Sequence, residues 1–242
     1  MTSITLNPSC GAVPDPDGYR DTVAFVEVSI PDELISGLRN QVTATFDAGG
    51  SPGEKADVAY GTACPEMVEH CASEIAGKTC TSPLTQLLEL VRDAMTKLFP
   101  AVSSDSFSPP QIAYRWKGDE MNYGPHCDGL YDGRETLQPN VPFAVVGVYL
   151  DDVNSEKDAA LMCWPARAAE VRKAISENDG TQLANNLCDI AGQCKTNDSS
   201  PYVVRGRAGC VFLVGGNVPH CNHERATDGE RVAVYFRMYA AT

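Results

Sequence analysis

GRAGCVFLVGGNVPHCNHERATDGERVAVYFR, residues 206–237, is the stretch that decides the fold. It reads as a β-rich run over 209–214, a Gly215-Gly216-Asn217 turn, a histidine, a second turn, and a further β-rich run opened by Arg231. Side chains alternate faces along a strand. Arg231, Ala233, Tyr235 and Arg237 therefore share one face, and Val232, Val234, Phe236 and Met238 share the other. If Arg231 looks into a barrel, the apolar set must pack outward against a second layer.

Working outward, further strands are expected at Gln111–Lys117, Phe143–Leu150, Ala160–Trp164 and Tyr202–Arg205. Ala166–Asn178 and Thr181–Ile190 have helical character and interrupt them. Upstream, residues 1–21 are rich in Pro, Gly and Asp and read as irregular, and Thr22–Ile30 alternates as a strand does. Pro31 opens a helix with Leu34, Leu38, Val42 and Phe46 on one stripe, ended by Gly49-Gly50. A short helix is expected at 65–77. Ser82-Pro83 starts another, with Leu87, Leu88, Val91, Met95 and Leu98 on one side. Apolar helix faces must be buried, and one face of a sheet is the available surface. The whole is one domain, 1–242: helical support and first strands to 110, then a β core over 111–240 with a helical insertion near 165–200.

The chain is 43% hydrophobic over 242 residues, enough for one substantial core. Its net charge of −13 excludes a general nucleic-acid binder, since phosphate contact needs a basic surface. No apolar run reaches the length of a membrane span. The start, MTSITLNP, lacks the basic and apolar regions of a signal peptide, so a cytoplasmic location is expected. Ten cysteines keep secretion open, with Cys188 and Cys194 a possible pair. The alternative is reduced, buried thiols acting as small hydrophobes.

YGPHCDG, residues 123–129, carries the chemistry. His126 and Asp128 lie two apart, so an extended backbone aims an imidazole and a carboxylate at one point. A histidine from another strand completes a two-histidine, one-carboxylate face on a metal, with open positions suited to Fe(II) and oxygen. His220 and His223 both lie in the deciding stretch. Cys127 and Cys221 follow their histidines directly, and alternation turns both away from that point. Asp151-Asp152 reads as a solvated turn at a strand end.

His126-x-Asp128, a distal histidine, and Arg231 eleven positions after His220 ahead of VAVYFR resemble the Fe(II)/2-oxoglutarate-dependent dioxygenases. Among them the chain is most like the phytanoyl-CoA dioxygenase-like group. AALMCWP (159–165) is similar to the stretch preceding that group's Pro-Gly-Ser-His, with Ala166-Arg167-Ala168 standing where Gly-Ser-His would be. The resemblance covers roughly 111–240. It implies a mainly β fold with helices, a double-stranded β-helix or jelly roll of cupin-like form buttressed by N-terminal helices. It implies Fe(II) held by His126, Asp128 and His220, with His220 favoured over His223 by its spacing to Arg231. It implies Arg231 on the distal carboxylate of 2-oxoglutarate, with Tyr114, Arg115 and Asn122 further candidates for the co-substrate pocket. Arg237 would be either a second anion contact or half of an ion pair, and Trp164 a wall residue.

The implied activity is oxidation of a small molecule, with 2-oxoglutarate and O2 converted to succinate and CO2. Halogenating relatives lack the carboxylate, so Asp128 favours hydroxylation or desaturation. Substrate would enter between 129–142, a lid with Gly129, Gly133 and Pro139, and the insertion at 151–200. Two other readings compete. A cupin-type metalloprotein with 2-oxoglutarate-independent chemistry would keep the histidines without needing Arg231. A non-catalytic β-sandwich binding module held by disulfides would need none of them.

Overall fold

The computed structural model describes residues 4–13, 15–48, 83–102, 107–108, 110–117, 124–128, 141–194 and 200–239. The helix expected at 65–77, His70, Asn122 and residues 129–140 of the expected lid lie outside them. The elements in order are β1 (Ile4–Leu6), β2 (Val23–Val26), α1 (Asp32–Ala48), α2 (Pro83–Leu98), β3 (Gln111–Trp116), β4 (Ala144–Tyr149), β5 (Leu161–Cys163), α3 (Ala168–Glu177), α4 (Gly180–Gly192), β6 (Tyr202–Val204), β7 (Val211–Gly215), β8 (His220–Asn222) and β9 (Glu230–Met238).

Six strands form a major sheet in the order β1-β2-β7-β4-β9-β3, and three form a minor sheet, β6-β5-β8. Among the described residues the only parallel pair is β1 with β2. The two sheets face each other, and α1 and α2 cover the outside of the major one. This is the jelly roll with helical buttress that the resemblance implies.

Strand β9 shows why the layers sort. Val232, Val234, Phe236 and Met238 lie in one buried cluster with Leu38 and Val42 of α1 and Leu87, Leu88, Val91 and Met95 of α2. Ala233 and Tyr235 lie in the other, with Leu161 and Cys163 of β5 and Val204 of β6. Period two alone assigns each residue its layer. On the inner side Gly147 leaves room for the Phe212 ring, into which a Cβ would project at 2.2 Å. Tyr149, Phe212 and Tyr235 then stack as an aromatic floor, with ring centroids 4.8 and 6.2 Å apart. The Tyr149 hydroxyl donates to the Val204 carbonyl and accepts from the Leu161 N–H, pinning the two sheets together.

Several expectations need correction. Residues 4–6 are a strand, not irregular lead-in, because they find a parallel edge on β2 that no local pattern announces. His220–Asn222 is likewise a strand, too short to show periodicity. Asp151 is not a solvated turn. Its carboxylate accepts from Arg39 Nε at 2.6 Å and from the Val232 N–H at 2.7 Å, tying α1 to β9. The seven described cysteines, Cys188 and Cys194 included, are free thiols, and Cys127, Cys163, Cys194 and Cys221 are buried. No helix among the described residues is long and apolar enough to cross a membrane.

Candidate metal centre

β8 lies between β5 and the short extended segment around His126. The His126 N–H donates to the His220 carbonyl at 3.0 Å, and the His220 N–H returns the bond at 2.9 Å. This two-way pairing sets the imidazoles side by side, 4.9 Å between centroids. Asp128, two residues on, closes the triangle. One donor atom from each of His126, Asp128 and His220 lies within 4.8 Å of the others, and they are the only such group among the described residues.

Each ring is held in a metal-ready orientation. Nδ1 of His126 donates to the Gly124 carbonyl and Nδ1 of His220 to the Val218 carbonyl, both at 3.0 Å. With that proton placed, Nε2 of each keeps a free lone pair. The two Nε2 atoms stand 3.8 and 3.9 Å from Asp128 oxygens. Burial pushes His220 down to about 4, so it is neutral at physiological pH, as a ligand must be. Burial works to raise the Asp128 carboxyl, but His220, Arg237 and His126 outweigh it and hold it below its ordinary value. His126 is 45% exposed in its side chain against 8% for His220, which marks the open side of the site. Two imidazoles and one carboxylate, with no thiol in the group, make a donor set that suits ferrous iron.

Arg231 lies deeper on the same inner face and is fully buried. Its Nη2 donates to the Ala159 carbonyl at 2.5 Å and to Asn222 Oδ1 at 2.9 Å. Nε and Nη1 have no hydrogen-bond partner among the described residues, and no carboxylate there pairs with this cation. The Tyr235 hydroxyl donates to the same Asn222 oxygen, and the guanidinium sits 5.8 Å from the Tyr149 ring centroid. Asn222 follows His220 by two, so the strand that presents the ligand also reaches the arginine.

The other candidates separate by parity. Arg115 is buried directly opposite Arg231 in the β3–β9 ladder, on the inner side. Tyr114, one residue earlier, is buried among the helix-facing residues and does not reach the site; the alternation that places Arg115 inside puts it outside. His223 is paired through its ring with its neighbour's carbonyl at the end of β8 and stays apart from the cluster. Cys127 packs against α3 and α4, and Cys221 against Trp164 and Cys194, both turned from the ligands. Arg237 resolves as an ion pair with the Asp128 carboxylate, Nε to Oδ2 at 3.0 Å and Nη2 to Oδ1 at 3.2 Å. Sequence reasoning missed Asn222. Its place two residues after the distal histidine was the available signal.

No family model matches this chain, and neither does any curated protein. Solved structures do. SnoK, a non-heme alpha-ketoglutarate-dependent carbocyclase from nogalamycin biosynthesis, is 12% identical with a TM-score of 0.57, over 94% of this chain and 84% of its own. EctD from S. alaskensis with bound Fe is 14% identical with the same TM-score, over 94% and 76%. HygX from Streptomyces hygroscopicus with nickel and 2-oxoglutarate bound is 13% identical with a TM-score of 0.51, over 90% and 83%. At such identities the likeness is one of fold. The chain shares the double-stranded β-helix fold of these structures.

Proposed function

We propose that this protein is an Fe(II)- and 2-oxoglutarate-dependent oxygenase that hydroxylates, or otherwise oxidises, a small-molecule substrate, with 2-oxoglutarate and O2 converted to succinate and CO2. The observation that carries it is Arg231, a buried guanidinium with two nitrogens that no described residue pairs, on the inner face that also bears the His-Asp-His cluster. A buried cation is costly unless paired. Here the missing partner is a carboxylate delivered by a ligand, and guanidinium suits that role better than any other cation. A cupin with other chemistry has no use for such a residue. The free thiols of Cys188 and Cys194 speak against the disulfide-held binding module.

In this reading His126, Asp128 and His220 hold the iron, leaving one side of it for the co-substrate and oxygen. Iron held there would supply O2 activation coupled to oxidative decarboxylation of the 2-oxo acid. The protein's own part is positional. Arg231 takes the distal carboxylate, with Asn222 and the Tyr235 hydroxyl beside it, and the aromatic floor excludes water beneath. Asp128 occupies the position that a halogenase would leave to chloride, which favours hydroxylation or desaturation. Substrate approaches past His126, the exposed ligand.

Anaerobic titration of the apoprotein with Fe(II) and then 2-oxoglutarate tests this. The expected result is a saturable visible charge-transfer band, abolished in His220→Ala and weakened in Arg231→Ala. Bound metal without a band would favour the cupin-type reading, and absence of metal binding would sink the central claim.

A further inference from the structure

Ala159 is the one non-glycine residue with positive φ among the described residues, at 58°. An L-residue pays for that conformation, and alanine has no side-chain group to offset it. Such an outlier persists only where its surroundings over-determine it, and it points to function when it sits beside a site. Ala159 is fully buried, and its carbonyl is the acceptor for Arg231 Nη2.

What enforces the conformation is the residue before it. One Asp158 oxygen accepts from the Asn154 N–H at 3.0 Å, the Ser155 N–H at 2.8 Å and the Ser155 hydroxyl at 3.1 Å. The other accepts from the Thr227 hydroxyl at 2.9 Å. The Asp158 carbonyl accepts from Arg225 Nη1 at 3.1 Å, and the Lys157 carbonyl takes the Ala226 N–H at 2.9 Å. The turn at 154–159 is thus clasped to 225–227, inside the connection that leads from His220 to Arg231. Both ends of the clasp bear on the arginine. One supplies the carbonyl that holds it and the other supplies the strand that carries it.

We propose that the Asp158–Thr227 clasp and the left-handed Ala159 it enforces are a positioning device for Arg231, setting co-substrate affinity from outside the pocket. The device rests on the co-substrate reading above. With Nη2 fixed between the Ala159 carbonyl and Asn222, Nε and Nη1 remain as the donors for a ligand carboxylate. If the clasp loosens, Ala159 relaxes toward a right-handed or extended backbone, its carbonyl swings away, and the guanidinium loses its fixed plane. Asp158 and Thr227 touch neither metal nor co-substrate in this scheme, so metal affinity is indifferent to them.

The test is the same anaerobic titration on the full chain, with metal affinity measured separately by Mn(II) binding. Asp158→Asn keeps the shape but turns one acceptor into a donor, and is expected to raise the 2-oxoglutarate Kd about tenfold. Thr227→Val removes the hydroxyl that donates to Asp158 and, at longer range, to the Lys157 carbonyl, and should raise it about threefold. Mn(II) affinity should stay within about twofold throughout. Wild-type 2-oxoglutarate affinity in Asp158→Asn, or parallel loss of Mn(II) and 2-oxoglutarate affinity, would overturn the positioning role. A wild-type protein that binds metal but no 2-oxoglutarate would instead remove the co-substrate reading, and this proposal with it.

Discussion

Arg231 and Arg237 share the inner face of β9, six residues apart, and have opposite circumstances. Arg237 is 29% exposed and spends its guanidinium on Asp128, with Nη2 also donating to Gln111 Oε1 at 3.1 Å. Arg231 is fully buried and, among the described residues, has no carboxylate partner and no partner for Nε or Nη1. By solvation alone the more buried cation should have the better counter-ion. Under the proposed function, the reversal marks Arg231 as the one that awaits a ligand. An arginine already neutralised within the protein orients what it touches, and one held without an anion is a receptor for one.

The largest effect expected from this contrast is on co-substrate binding. Losing a buried guanidinium–carboxylate pair costs about 3 kcal/mol, or roughly two decades in affinity. Arg231→Ala should therefore raise the 2-oxoglutarate Kd about a hundredfold while the protein still binds Mn(II). Arg231→Lys should recover only a small part, because an ammonium cannot reproduce the planar fork. Arg237→Ala should move that Kd by less than about tenfold, by disturbing Asp128. Equal losses in the two alanine variants, measured by the same titration, would erase the distinction.

A second consequence is smaller and reverses the order. In the apoprotein Arg237→Met strands the buried Asp128 carboxylate, which should cost about 2 kcal/mol after allowance for the partial exposure of the arginine. Arg231→Met gives up two hydrogen bonds but also removes a buried charge with two unpaired nitrogens, so its stability should stay within about 1 kcal/mol of wild type. Urea denaturation of both variants decides this. If Arg231→Met proves the more damaging, its guanidinium is a structural element rather than a waiting receptor.

Much of this contrast was open to sequence reading, but not all of it. The alternation of β9 placed both arginines inside and the valines outside, because a nine-residue strand between two layers has little freedom to disagree with its pattern. His126-x-Asp128 and His220 were legible from residue type and spacing. The choice for Arg237 between anion contact and ion pair was not, since its partner lies 109 residues away and only folding brings them together. The resemblance offers Tyr114 for the pocket, although the parity that puts Arg231 inside puts its ladder partner Arg115 inside and Tyr114 out. The left-handed Ala159 was hidden entirely, because no local signal marks an alanine that tertiary bonds force to positive φ. β1 and β8, three residues each, are strands only by virtue of their neighbours.

The smallest predicted effect is the pH response of apoprotein stability, and it reads the Arg237 end of the strand alone. Burial lowers His220 to about 4, below its unfolded value near 6.5. Between those values the unfolded chain holds a proton that the folded one refuses, so stability is full above about pH 6.5 and falls as pH drops toward 4. Going from pH 7.5 to 5.5 should cost about 1.4 kcal/mol, seen as a lower Tm. The Asp128 carboxyl is itself held below its ordinary value, so its contribution survives this window and is lost only at more acid pH. In Arg237→Met one of the charges opposing burial is gone, and the Asp128 carboxyl rises. Arg237 also helps to hold His220 down, so without it His220 moves back toward its unfolded value and less stability is lost as pH falls. The slope should flatten in Arg237→Met and stay at its wild-type steepness in Arg231→Met. If both variants flattened alike, the two arginines would share one electrostatic role, and the distinction drawn from their partners would be wrong.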